Sequence, residues 1–137
     1  MLLTYLRENN LKLPHLRRVI IGGSAIPEMI LRAFEVEFEV DVVHAWGMTE
    51  TSPLGTLGTL PSHLAEADLD TRIAYKLRQG RPPFGVELQI QDDDGKVVDR
   101  DGKTSGRLMV RGLAVTAGYY NGAGGNVLDG DGWFDTG

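Results

Sequence analysis

The sequence predicts an α/β fold followed by antiparallel β structure, and three observations carry that prediction. A β-branched apolar run, an amphipathic stretch and a second β-branched run follow one another across residues 16–44. A Gly/Pro-rich segment, Gly80-Arg81-Pro82-Pro83-Phe84-Gly85, then changes the pattern. Beyond it, Val86, Leu88 and Ile90 alternate with Glu87, Gln89 and Gln91, the period-two mark of a half-buried strand. Strand, helix and strand over the first stretch make a βαβ unit, with parallel strands and a right-handed crossover. The expected organisation is residues 1–79 as an α/β subdomain and residues 80–137 as an antiparallel β subdomain.

Each element has its own signal. Leu2, Leu3 and Leu6 share a face, so residues 1–10 read as a short helix that Asn9-Asn10 stops. Pro14 breaks the connector that follows. Residues 16–21 read as a strand, and the run Val19-Ile20-Ile21 predicts burial on both faces. Gly22-Gly23-Ser24 permits a sharp turn, with Ser24 or Ala25 near a helix cap and Pro27 in the first turn. Ile26, Ile30, Leu31, Phe34 and Phe38 give that helix its apolar stripe. The next strand covers Asp41 to His44.

Residues 54–61 read as a Gly/Thr/Leu loop, and residues 62–79 as a helix interrupted near Asp68. Leu69, Ile73 and Leu77 recur there at helical spacing. After the strand at residues 86–91, Asp93-Asp94-Gly95-Lys96 is a hairpin turn and Arg100-Asp101-Gly102 a second turn. Leu108, Val110 and the pair Tyr119-Tyr120 are expected in further short strands. No internal repeat is present.

Composition narrows the function. A chain of 137 residues with 42% hydrophobic and 24% charged content fits a globular unit with a modest core. A net charge of -5 and the lack of a Lys/Arg-rich patch exclude nonspecific nucleic-acid binding. With no cysteine there is neither a disulfide framework nor thiolate chemistry, which agrees with a cytoplasmic location. No apolar run has the length needed to span a bilayer, and the N-terminus is too short and too soon charged for a signal peptide.

The chemistry concentrates in Val42-Val43-His44-Ala45-Trp46-Gly47-Met48-Thr49-Glu50-Thr51-Ser52-Pro53. A strand ends there in an indole, a glycine, a hydroxyl and a carboxylate. An aromatic ring covers a flat base, and Gly47 lets backbone approach a ligand. A Thr hydroxyl bonds a phosphate oxygen, and a Glu carboxylate is a hard oxygen ligand for Mg²⁺. Ligands in parallel sheets gather outside the carboxyl ends of strands, where both Gly22-Gly23-Ser24 and residues 46–50 are predicted. The bland alternative is a strand end with a polar turn, Trp46 in the core and Glu50 in solvent. Asp92-Asp93-Asp94-Gly95 and Asp129-Gly130-Asp131-Gly132 lack the alternating ligands and distal Glu of a calcium loop, so they read as turns.

Ala45-Trp46-Gly47-Met48-Thr49-Glu50-Thr51-Ser52-Pro53 resembles the aromatic-Gly-x-Thr-Glu signature of the adenylate-forming superfamily. Gly22 to Pro27, Gly80 to Gly85, Gly106 to Gly112 with Gly118-Tyr119-Tyr120, and Gly132 to Gly137 resemble further blocks of that family, in the same order. The likeness is greatest to medium- and long-chain fatty acyl-CoA synthetases. It implies a parallel-sheet subdomain followed by part of a small distorted β-barrel, as in the N-terminal domain of those enzymes. It also implies activation of a fatty acid by ATP and Mg²⁺ to an acyl-adenylate, then transfer to coenzyme A.

By that resemblance, Thr49 contacts the α-phosphate and Glu50 holds Mg²⁺. Trp46 lies against adenine, where the family more often has Tyr or Phe, and Gly47 belongs to the same nucleotide contact. Gly22, Gly23 and Ser24 line the adenine and acyl pocket through backbone. His44 and Ala45 border the substrate pocket, although His44 reads equally as a hydrogen-bonded strand histidine. Arg107 stands where the family usually has Glu.

The family's phosphate loop, ribose-binding Asp, hinge and catalytic lysine have no counterpart in these residues. An internal fragment, inactive alone and inclined to self-associate through uncovered apolar faces, is therefore expected. Two other readings stay open: adenylation of an aryl, short-chain or sulfur-containing acid, and a non-catalytic nucleotide-binding module.

Overall fold

The computed structural model describes residues 2–137. They form two compact units. One takes the described chain up to Trp46 together with Thr56–Arg81, and the other takes Gly47–Gly55 together with Pro82–Gly137.

The first unit is α/β. Helix α1 (Leu2–Glu8) precedes strand β1 (Arg18–Ile21). Helix α2 (Glu28–Arg32) runs into a π-helical turn at Ala33–Glu37, and strand β2 (Asp41–Trp46) follows. Strand β3 (Thr56–Gly58) and helix α3 (Leu69–Lys76) complete it. β1 and β2 pair in parallel, with Val19 opposite Val42 and Ile21 opposite His44, as the βαβ reading requires.

The apolar stripe of the α2 segment supplies the core. Ile26, Leu31 and Phe34 close over Val40, Val42 and Ile73, and Val19, Ile21 and Leu77 pack against them. Leu31, Val40 and Val42 have no exposed surface, so truncating any of them to Ala removes buried contacts of the kind worth about 2–5 kcal/mol. Helix α3 begins at Asp68, whose carboxylate accepts from the Thr71 amide at 2.9 Å. That cap explains why the helical pattern breaks there.

Three local expectations need correction. β1 is not buried on both faces: Val19 and Ile21 turn toward the core, while Ile20 is 64% exposed. Among the described residues β1 is the edge strand of the sheet β1-β2-β3, and Ile20 stands on the face turned away from Val19 and Ile21. Ser24 and Ala25 do not cap α2; Pro27 occupies the N-cap with extended backbone and makes no side-chain cap bond. Residues 56–58, expected in a loop, form β3 antiparallel to β2, with Trp46 opposite Thr56. The Thr56 hydroxyl donates to the Gln79 carbonyl, and Leu57 and Arg81 exchange backbone bonds of 2.9 and 3.0 Å. Those partners compensate a sequence with little strand propensity of its own.

Beneath the start of β2 lies a buried ion network. Lys76, 3% exposed, donates to Glu35 and to Asp41 Oδ1, the latter at 2.7 Å. Glu35 Oε1 also accepts from the Val42 amide at 2.7 Å, and Arg18 Nε donates to Asp41 Oδ2 at 2.5 Å. One carboxylate thus ties the π-helical turn to both α3 and β2.

The second unit is antiparallel β. Strand β4 (Val86–Gln91) pairs with β5 (Arg107–Gly112) along its length, and β5 pairs with β6 (Phe134–Asp135). The three strands make an open sheet around buried Met109, Val110 and Phe134. Both Asp/Gly-rich segments are turns: Asp92 Oδ1 accepts from the Lys96 amide at 2.8 Å, and Asp129 Oδ1 from the Trp133 amide at 2.8 Å. Arg107, the departure from the family pattern, pairs with Asp135 on β6 at 2.9 Å. The Arg111 guanidinium stacks 4.5 Å from the Trp133 ring centre and reaches Glu87 at 2.7 Å. Tyr119-Tyr120 is not a strand. Tyr119 is extended and precedes a 3₁₀ turn at Tyr120–Gly122, where Asn121 takes a left-handed φ of 55° that turns the chain out of any ladder.

Partial burial pushes the Asp41 carboxyl upward, but hydrogen bonds from Lys76 and Arg18 outweigh it and hold the group below the usual carboxylate range. Its folded form therefore binds a proton more weakly than the unfolded chain does. The stability it contributes is complete above the unfolded value of about 3.9 and is lost as pH falls below it. Urea denaturation should show Asp41→Asn losing less stability than the parent chain as pH is lowered from neutrality through that range.

Candidate functional site

Within the first unit, β2 runs two residues further than the sequence pattern suggested, so Ala45 and Trp46 are strand residues. His44 is 1% exposed, and its Nδ1 lies 3.2 Å from the Leu77 carbonyl. A carbonyl only accepts, so that contact places a proton on Nδ1. Nε2 is buried without a hydrogen-bond partner. The residue is thus a hydrogen-bonded strand histidine, with one nitrogen unused. Trp46 is half-buried, and so is Ala45.

Gly22 follows β1 directly and lies against β2. A Cβ at this position would sit 2.8 Å from the Ala45 carbonyl oxygen. Gly23 has a positive φ of 88° and, like Ser24, is exposed. The predicted turn and the end of β2 are therefore neighbours through Gly22 and Ala45.

In the second unit, Gly47–Gly55 forms a tight loop around a 3₁₀ turn at Thr49–Thr51. Gly47 lies so close to the Pro53 carbonyl that any side chain would overlap it. Thr51 is the buried pin of the loop. Its hydroxyl accepts from the Met48 amide at 3.0 Å and donates to the Pro53 carbonyl at 2.7 Å, with the Met48 carbonyl at 3.0 Å. Ser52, at φ 51°, then reverses the chain into Pro53. The adjacent Thr49 is exposed and Glu50 half-buried.

Glu50 has partners that the motif did not announce. The Tyr119 hydroxyl donates to Glu50 Oε1 at 2.5 Å, and the Thr116 amide donates to the Glu50 carbonyl at 2.8 Å. The hydrogen bond from Tyr119, then the backbone amide of Glu50 itself, holds the carboxyl below its ordinary range. The same bond to the carboxylate pushes the Tyr119 phenol above its usual value. Glu50 is therefore an anion at neutral pH. Tyr119 was missed because it lies 69 positions from Glu50. Its only sequence signal was membership of the Gly118-Tyr119-Tyr120 block.

No group of three or more His, Asp or Glu side chains fit to hold a metal ion occurs among the described residues. One carboxylate still suits Mg²⁺, which commonly takes one or two protein carboxylates and completes its shell with waters and substrate phosphates. No described helix is long and apolar enough to cross a membrane.

A profile described as "AMP-binding enzyme" matches residues 1–120. The chain is 44% identical to a medium-chain-fatty-acid–CoA ligase of Ectopseudomonas oleovorans, over 94% of this chain and 23% of that protein. It is 47% identical to a 3-methylmercaptopropionyl-CoA ligase of Ruegeria pomeroyi, over 99% of this chain and 25% of that protein. Among solved structures, the o-succinylbenzoate CoA synthetase of Bacillus subtilis, in complex with its acyl-adenylate intermediate, aligns with a TM-score of 0.72 at 28% identity. That alignment covers 98% of this chain and 26% of the synthetase. The chain thus spans about a quarter of the length of the curated relatives it matches.

Thr51→Val should leave the Met48 amide without its acceptor and cost about 1–3 kcal/mol. Urea denaturation measures the loss, and faster hydrogen exchange at the Met48 amide locates it in this loop.

Proposed function

Since the chain belongs to the AMP-binding enzyme family, we propose that its gene product is a fatty acid–CoA ligase that works through an acyl-adenylate. The observation that carries the reading is the loop after β2, which presents an ionised Glu50 carboxylate beside an exposed Thr49 hydroxyl. In the proposed reaction a carboxylate oxygen of the acid attacks the α-phosphorus of ATP. The bond to the bridging oxygen breaks and pyrophosphate leaves. The coenzyme A thiol then attacks the acyl carbonyl, and AMP leaves.

Negative charge crowds the first transition state, so cations and donors aimed at phosphate oxygens supply most of the acceleration. Bound Mg²⁺ would neutralise part of that charge, and Glu50 is the residue that would hold it. Thr49 donates to the α-phosphate. Trp46 covers the adenine, and the Gly47 backbone belongs to the same nucleotide contact. The backbone of Gly22, Gly23 and Ser24 lines the adenine and acyl pocket, and His44 and Ala45 border the acyl group. ATP, coenzyme A and the acid are the small-molecule partners, and the cytoplasm is the proposed location. Residues 1–79 and 80–137 are proposed as parts of an α/β and a β subdomain. Exposed Phe84 and Leu113 support self-association.

A second reading, a short sulfur-containing acid as substrate, is favoured by the identity to the Ruegeria ligase.

The test is ATP–pyrophosphate exchange by the full-length gene product across medium-chain, long-chain, aryl and methylthio acids. Medium- or long-chain acids should support the fastest exchange, and a preference for 3-methylmercaptopropionate would move the assignment to the second reading. Thr49→Val should slow exchange by about 10²–10³-fold, the usual cost of one donor at a developing charge. Glu50→Gln should raise the Mg²⁺ needed for half-maximal rate. A non-hydrolysable acyl-adenylate mimic that leaves tryptophan fluorescence unchanged at saturation would favour a non-catalytic module.

A further inference from the structure

Glu50 is held from two directions by a single short segment. β5 ends at Gly112, and the chain turns back through a Val115 amide bond to the Gly112 carbonyl at 3.1 Å. Thr116 then meets Glu50 through its amide, 2.8 Å from the Glu50 carbonyl. The Thr116 hydroxyl folds the next residues, donating to the Gly118 carbonyl at 2.9 Å and accepting from the Gly118 amide at 3.3 Å. Tyr119 emerges from that fold with its hydroxyl 2.5 Å from Glu50 Oε1. Backbone and side chain of one glutamate are thus fastened by residues three positions apart.

This arrangement matters because Glu50 sits in the middle of the 3₁₀ turn at Thr49–Thr51 and its long side chain rotates about several bonds. Without an anchor, its carboxylate would sample positions too distant for coordination. A phenol on Oε1 removes most of that freedom, yet an ionised carboxylate has about four acceptor positions, so Oε2 stays available to a cation. Carboxylates that ligate metals are themselves commonly hydrogen-bonded by the surrounding protein, and loss of such a partner typically weakens metal binding by about 10–100-fold.

We propose that Tyr119 is the positioning residue of the Mg²⁺ site: its hydroxyl orients the Glu50 carboxylate toward the cation, with Thr116 fixing the backbone beneath it. The inference rests on the reading of Glu50 as the Mg²⁺ ligand. It adds a residue that the Thr-Glu signature does not contain.

The experiment measures Mn²⁺ binding to the full-length gene product by electron paramagnetic resonance, with a non-hydrolysable ATP analogue present. The variants are Tyr119→Phe, Tyr119→Leu and Glu50→Gln. Tyr119→Phe keeps the ring and loses only the hydroxyl. It should weaken Mn²⁺ binding by about 10-fold or more while leaving analogue binding without metal unchanged. Tyr119→Leu should weaken metal binding no further, because the ring itself is not the anchor. If Glu50→Gln weakens Mn²⁺ binding while Tyr119→Phe matches the parent protein, the Tyr119 inference falls and the Glu50 reading stands. If neither substitution changes Mn²⁺ binding, the Glu50 reading itself falls. Tighter Mn²⁺ binding by Tyr119→Phe would make the phenol a competitor of the cation and overturn the proposal. Circular dichroism of each variant separates these outcomes from misfolding. Should Tyr119→Phe fail to fold, Thr116→Pro removes the amide donor and tests the backbone half of the proposal. Weaker Mn²⁺ binding by that variant supports the proposal, and unchanged binding overturns it.

Discussion

The charge buried beneath β2 is what the first unit is arranged around. A lysine with almost no access to water is tolerable only when anions meet it, and Glu35 and Asp41 do so from two different elements. Because Glu35 also takes the Val42 amide, the ammonium, the π-helical turn and the first inward residue of β2 are set by one carboxylate. From there the register with β1 follows, and Val42 is delivered into the apolar core. The strand so anchored at Asp41 runs on to Trp46.

In the second unit an analogous economy operates on a smaller scale. The loop at residues 47–55 is stabilised by one hydroxyl, that of Thr51, bonded to backbone on both sides. The Thr49 hydroxyl takes no part in that pin, while Glu50 is tied instead to the segment at Thr116 and Tyr119. With the turn held by Thr51, Thr49 is left exposed and Glu50 half-buried. Such preorganised donors and acceptors are worth most to catalysis when they need not rearrange.

Much of this was legible in the residues themselves. Parallel β1 and β2 followed from two β-branched runs around an apolar helical stripe, and the Asp92 and Asp129 turns from their Asp-Gly content. What escaped depended on partners distant in sequence. Thr56-Leu57-Gly58 has no strand pattern and becomes a strand through β2, Gln79 and Arg81. Ile20 looked like core because an apolar run does not say whether a strand is central or at an edge. Nothing local in the sequence marks Lys76 as the buried partner of Glu35 and Asp41, which lie 41 and 35 positions away. Tyr119 gives no local sign of its bond to Glu50, since nothing near either residue specifies the fold of the segment between them.

Gly47 carries a consequence of another kind. Its missing side chain is filled by the Pro53 carbonyl, so even a methyl group cannot enter. Every single-base change of a glycine codon that alters the amino acid adds at least that methyl. This position is therefore closed to neutral drift. Divergence among descendants of this gene should accumulate around that residue and leave it standing.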